Sequence, residues 1–220
     1  MNAPSVDADL VAERMGAVRS RIEARGGVDV AVLAVTKTFG LDAVRAAAAA
    51  GADGIGENYA QELVSKLTGV GDLPPVHFIG QLQTNKVRSI ASMVDVYETV
   101  DRVSLATEIA KRAPGARVLV QVDTSGGVGK GGSPVPEVEA LVGRCVDLGL
   151  VVLGLMTVGP TEGGPEAARP GFRTVRRLVD RLGLSVCSMG MSEDLDVAID
   201  EGSTEVRLGS ALFGSRSRRR

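Results

Sequence analysis

The chain has 220 residues, 44% of them hydrophobic and 24% charged, with a formal net charge of -2. That length can bury a good core as one large domain or two small ones, and the charge gives no electrostatic case for nucleic acid or a membrane as a partner. A single histidine, His77, argues against a His-based metal site or a catalytic histidine pair, and the two cysteines, Cys145 and Cys187, suit a reducing cytoplasm better than a disulfide framework.

No apolar stretch approaches membrane-spanning length, and residues 1–25 lack the apolar centre of a signal peptide, so a cytoplasmic protein is expected. Val11, Met15, Val18 and Ile22 recur at helical spacing and Gly26-Gly27 stops the pattern, which predicts an amphipathic N-terminal helix. Short apolar runs then follow at 30–35, 54–56, 76–79, 94–97, 117–122, 151–155, 184–187 and 205–208. Helical patterns separate them at 41–50, 59–67, 86–91, 103–111, 135–147, 168–181 and 193–200. Eight strands separated by helices imply parallel pairing. A single-domain α/β fold, a (β/α)8 TIM barrel with an extra N-terminal helix, accommodates them better than an open doubly wound sheet. The expected domain is 1–214, and the basic end, 215–220, reads as a disordered tail.

The first run, Val30-Ala31-Val32-Leu33-Ala34-Val35-Thr36-Lys37, ends on a lysine in a chain with five lysines and twenty arginines. Taken alone, it favours a side chain that leaves the strand end and reaches water. The other reading is an amine condensed with an aldehyde, a bond that arginine cannot form.

In a barrel the residues just after the strands build the site. Here these are Thr36-Lys37, Gly56-Glu57-Asn58, Gly80-Gln81, the loop after Asp123, Met156-Thr157, Met189-Gly190-Met191-Ser192 and Gly209-Ser210. The set has no evident Ser/His/Asp triad, metal cluster or closely spaced carboxylate pair. It resembles an aldehyde anchor beside a phosphate cradle. Ser192 is expected to cap the helix that follows it, and Gly209-Ser210 would let backbone and a hydroxyl approach an anion; ordinary capping explains both equally well. Asn58 and Gln61 form an imperfect capping box, and capping is the leading role for Asn58. His77 reads as a satisfied core histidine, and Tyr59 and Tyr97 fit packing positions. Gly127-Val128-Gly129-Lys130-Gly131-Gly132 matches a dinucleotide spacing formally, but Pro134 and Pro136 follow, so a lid is the better reading.

Several motifs together resemble one family. They are Val35-Thr36-Lys37, Gly56-Glu57-Asn58-Tyr59-Ala60-Gln61-Glu62, and the run from His77-Phe78-Ile79-Gly80 to Thr84-Asn85-Lys86. Gly154-Leu155-Met156-Thr157, Ser188-Met189-Gly190-Met191-Ser192-Glu193-Asp194 and Val206-Arg207-Leu208-Gly209-Ser210-Ala211-Leu212-Phe213-Gly214 complete the set, in family order. The chain is similar to the YggS/PROSC family of pyridoxal phosphate homeostasis proteins. The resemblance implies a barrel like the N-terminal domain of alanine racemases, with pyridoxal phosphate on Lys37 as an internal aldimine. It places Ser192, Gly209 and Ser210 at the phosphate, Arg207 at the pyridine nitrogen, and Asn58 and Met191 around the ring; Lys130 matches a lysine implicated in cofactor handling. It assigns no catalytic residue and no metal.

A fixed guanidinium beside the pyridine nitrogen opposes protonation there and weakens the ring as an electron sink. Racemisation also needs a second acid/base on the opposite face, which racemases take from a further domain, and none follows in these 220 residues. The expectation is a monomeric carrier that maintains intracellular pyridoxal phosphate and serves apoenzymes that need it, without nucleic-acid or membrane partners. A weak amino-acid racemase is the alternative, and a Schiff-base aldolase a third reading.

Overall fold

Each apolar run is short, rich in β-branched residues and followed by a segment with helical periodicity, so the chain must cross back before the next strand can pair. In the computed structural model, which describes residues 6–125 and 131–214, the elements alternate accordingly. The first half contains α1 (Ala8–Ala24), β1 (Ala31–Val35), α2 (Leu41–Ala49), β2 (Gly54–Glu57), α3 (Ala60–Leu67), β3 (Val76–Phe78), α4 (Thr84–Ile90), β4 (Val96–Val100), α5 (Val103–Arg112) and β5 (Arg117–Asp123). The second contains β6 (Ser133–Pro134), α6 (Val138–Asp147), β7 (Val151–Met156), α7 (Arg169–Arg181), β8 (Val186–Ser188), α8 (Leu195–Asp200), β9 (Glu205–Leu208) and α9 (Ser210–Phe213).

Eight strands run parallel in a closed ring, in the order β1, β2, β3, β4, β5, β7, β8, β9 and back to β1. β6 is a two-residue spur beside the end of β5, with Val122 level with Ser133. The fold is thus a single-domain (β/α)8 barrel preceded by an extra helix, as the alternation predicts. The expected tail at 215–220 lies outside the described residues.

Alternation along the strands separates two environments. One set of side chains, including Val32, Phe78, Tyr97, Val120, Leu155 and Val206, joins the buried faces of the helices in one continuous apolar layer. The lumen holds a much smaller apolar cluster of Val96, Leu119 and Met156. Beside it lie buried polar groups, His77, Glu98, Ser188, Glu205 and Arg207. Their orientation is fixed by the ring: Ser188 on β8 donates to Glu98 on β4 at 2.8 Å, and these strands are not neighbours, so the bond crosses the lumen. Barrel interiors are usually filled by branched apolar side chains; much of this one is charged.

α1 begins at Asp7, whose carboxylate accepts from the amides of Asp9 and Leu10. It buries Val11, Met15, Val18 and Ile22 against α2 and α9. Two boundaries differ from the sequence expectation for physical reasons. β4 continues to Val100 because Glu98 and Thr99, polar in sequence, are both buried. α8 starts at Leu195, not at 193, because the Asp194 carboxylate turns back to accept the Met191 amide at 2.5 Å.

Candidate functional site

β2, β1, β9 and β8 are consecutive in the ring, so the segments leaving them meet at one side of the barrel mouth. The register Val35↔Gly56 brings Lys37 level with Asn58, and Leu33↔Arg207 puts Arg207 deeper, below the mouth. Met191 and Ser192 follow β8, and Gly209 and Ser210 follow β9. All seven sequence-singled residues therefore lie on four adjoining strands or the loops they lead into. Lys130 lies outside the described residues; Gly131, next to it, lies near the side chains of Asp101, Gln121 and Gln81.

Lys37 is half-buried and sits on a segment fastened on both sides. Before it, the Thr36 hydroxyl donates to Glu57 Oε1 at 2.5 Å, and the Thr36 carbonyl accepts from Lys66 Nζ at 2.8 Å. After it, the Thr38 amide donates to Glu62 Oε1 at 2.5 Å. Lys66 also donates to Glu57 Oε1 at 2.7 Å and Glu62 Oε1 at 2.8 Å, so one almost fully buried ammonium ties the clamp together. Burial raises the Glu57 carboxyl above its ordinary pKa, against the opposing pull of Lys66 and Thr36. Thr38 has φ 70°, a left-handed conformation that β-branched residues rarely adopt. Phe39 then turns inward onto Phe213, with ring centroids 5.1 Å apart.

Asn58 does not cap α3. The N-cap is Tyr59, without a side-chain bond, while Asn58 Oδ1 is buried with no protein partner among the described residues. Its backbone packs so closely under the next loop that a methyl on Gly80 would collide with the Asn58 carbonyl. Ser192 does not cap α8 either. Its hydroxyl reaches across and accepts the Ala211 amide at 3.0 Å, joining the loop after β8 to the first turn of α9. Gly190, at φ 98°, lets that loop pass Ala198, which a side chain would strike. Met191 and Ser210 are exposed at the rim.

Arg207 is buried and fully directed. One terminal nitrogen donates to Ser188 Oγ at 2.5 Å and the other to the Thr157 carbonyl at 2.7 Å, while Glu98 Oε2 lies 3.9 Å away. Glu98 is completely buried, and its other oxygen is 2.7 Å from His77 Nδ1. Burial opposes the charge on Glu98, but His77, Arg207 and Ser188 outweigh it and hold its pKa below the usual value. With Glu205, this makes a three-group cluster in which an imidazole nitrogen and two carboxylate oxygens lie within 4.8 Å of one another.

The clamp and this lumen cluster were not foreseen. Glu62 and Lys66 stand at i, i+4 on one helix, but nothing local ties them to Glu57. Glu98 fell outside the apolar run that marked its strand. The remaining candidates are chemically quiet. Burial pushes the Tyr97 phenol up to about 12 and the Cys145 and Cys187 thiols up to about 11 and about 12.

The chain matches the model of the family described as alanine racemase, N-terminal domain, over residues 6–217. It is 39% identical to the pyridoxal phosphate homeostasis protein of Pseudomonas aeruginosa, covering 94% of this chain and 96% of the relative. It is likewise 39% identical to the protein of that name from Aquifex aeolicus, over 93% of this chain and 97% of the other. Among solved structures, PipY of Synechococcus elongatus with PLP bound superposes with a TM-score of 0.80 at 30% identity, covering 93% of this chain and all of that one.

Proposed function

Because the chain belongs to the pyridoxal phosphate homeostasis protein family, we propose that it binds pyridoxal phosphate at the barrel mouth and maintains the supply of this cofactor. The observation that carries the reading is the clamped amine: Lys37 stands on a segment fixed from both sides, level with a buried Asn58 oxygen that has no protein partner among the described residues. An unsatisfied buried acceptor is costly, and a polar ligand at the mouth would relieve it.

The donor set fits the cofactor group by group. Lys37 supplies the amine for covalent attachment. Ser192, Gly209 and Ser210 lie in two loops already joined by a hydrogen bond, at the end of the barrel where phosphate sites recur. Arg207 supplies a permanent positive charge below them, and Asn58 and Met191 flank the space between. Bound pyridoxal phosphate brings an aldehyde and an electron-withdrawing ring. The protein's own part is to hold, orient and shield it. Arg207, fixed by Ser188 and Thr157, opposes a proton on a facing ring nitrogen and so limits carbanion chemistry. Turnover of an amino acid would also need an acid on the opposite face. Tyr97 lies in the apolar layer outside the lumen, His77 is held by Glu98, and Tyr59 is 55% exposed at the rim. These features favour a carrier over a racemase, one that holds a reactive aldehyde reversibly and passes it to apoenzymes.

The absorbance of purified protein mixed with pyridoxal phosphate tests the reading. Wild type is expected to develop the visible band of lysine-bound cofactor and Lys37→Ala to lose it. A band of equal intensity in the variant removes Lys37 from its role. Loaded protein is expected to leave the α-proton of added amino acids unexchanged in D2O; rapid exchange would establish the racemase instead.

A further inference from the structure

The lumen contains an unbroken series of polar contacts from the strand-start end of the barrel to Arg207. Glu205 is the first residue of β9 and is level with Ala31, the first residue of β1. His77 Nδ1 lies 4.0 Å from Glu205 Oε2 and 2.7 Å from Glu98 Oε1. The second oxygen of Glu98 accepts Ser188 Oγ at 2.8 Å, and Ser188 in turn accepts Arg207 at 2.5 Å. Both Glu98 oxygens are therefore engaged, one by each half of the series. Glu205 Oε1 is buried and has no partner among the described residues.

Charge counting shows what this arrangement needs. Glu98 and Glu205 contribute two negative charges and Arg207 one positive, so neutrality in a buried space requires one more proton. Two sites can take it, the His77 imidazole and the unsatisfied Glu205 carboxyl. Asp95, on the segment entering β4, also bears on His77 and favours its protonation.

We propose that Glu98 is the positioning residue for Arg207, and that one proton held between His77 and Glu205 governs how strongly Arg207 acts on the ring nitrogen of bound pyridoxal phosphate. While that proton is retained, the negative charge below Arg207 is balanced and the guanidinium faces the cofactor with its full charge. When it leaves, one net negative charge lies beneath Arg207 and its effect on the ring weakens. Glu98 links the two halves because one of its oxygens meets His77 and the other Ser188, beside Arg207. The part that concerns the cofactor rests on the function proposed above; the coupling within the lumen does not.

His77 is the only histidine in the chain, so its imidazole gives a single set of NMR signals. In cofactor-free protein its titration midpoint is expected above the ordinary value of about 6.5, and Glu98→Gln should lower it by about one unit or more. Ser188→Ala, which keeps both carboxylates, is the milder variant if Glu98→Gln does not fold; it should move the midpoint by a smaller amount. In loaded protein the visible band is expected to change with pH at the His77 midpoint, and both variants should displace that profile while Arg207→Lys partly preserves it. Identical His77 midpoints in wild type and variants would overturn the coupling, as would stoichiometric uptake of Zn2+ by His77, Glu98 and Glu205. Superimposable pH profiles of the band would overturn the link to the cofactor. If wild type forms no band at all, the proposed function fails, while the cofactor-free titration still decides the coupling.

Discussion

At the scale of single residues, Glu205 carries a carboxyl that the fold prefers to keep protonated. Burial, reinforced by the charge of Glu98, pushes it up to about 8. Between the ordinary carboxyl range and that value the folded protein binds more protons than the unfolded chain, so stability falls as pH rises through the window. His77, the other holder of that proton, acts in the same direction: burial resists its charge, but the hydrogen bond and charge of Glu98 raise it, and its contribution is lost as pH climbs through the raised value. Glu98 is lowered, so its share is present above the ordinary value and lost only as pH falls through its folded one. Glu205→Gln should therefore flatten the decline and recover ~2 kcal/mol at pH 9 relative to wild type, read by urea unfolding at pH 6 and pH 9. Lys66 gives a second prediction. Its replacement by Met leaves Glu57 and Glu62 without their common partner, which should cost ~3 kcal/mol of stability and speed release of bound cofactor, measured by denaturation and by transfer to an acceptor apoenzyme.

At the scale of elements, the sequence and the structure agree where apolar content defines a strand and diverge where polar contacts set a loop. β1, β5, β7 and β9 were legible because their Val and Leu side chains are buried on the helix-facing side or on both. β4 was placed too early because an apolar run cannot include Glu98, and only the closed ring reveals that Glu98 meets Ser188 across the lumen. Capping was the leading role for Asn58 and an equal alternative for Ser192 because a sequence shows near neighbours only. Ser192 instead bonds Ala211, nineteen positions away, and the seven candidate residues form one group only through strand order. Removal of that bond by Ser192→Ala should cost ~1 kcal/mol and loosen α9. The expected readout is faster amide exchange at Ala211 together with weaker retention of the cofactor, and unchanged exchange would show that the two loops are independent.

At the scale of the molecule, eight parallel strands close on themselves, so among the described residues the ring of eight has no free edge. Among the described residues, no helix is long and apolar enough to cross a membrane. A ligand held by segments following β1, β2, β8 and β9 joins the start of the chain to its end, so binding should stabilise the barrel as a unit. At free pyridoxal phosphate a hundredfold above its dissociation constant, about 2.7 kcal/mol of stabilisation is expected for wild type. Lys37→Ala should show much less, and thermal unfolding with and without cofactor reads the difference. An equal upward shift in melting temperature for the two proteins would mean that the cofactor stabilises the fold without its amine.

The charged lumen also bears on how the barrel is held together. Hydrocarbon in place of buried ionic groups often leaves a protein as stable or more so, so the wiring among His77, Glu98 and Arg207 is a poor candidate for what keeps the ring shut. The continuous apolar layer between strands and helices does that instead, as hoops hold staves from outside. A vessel bound from outside can line its inner wall with whatever chemistry its contents require.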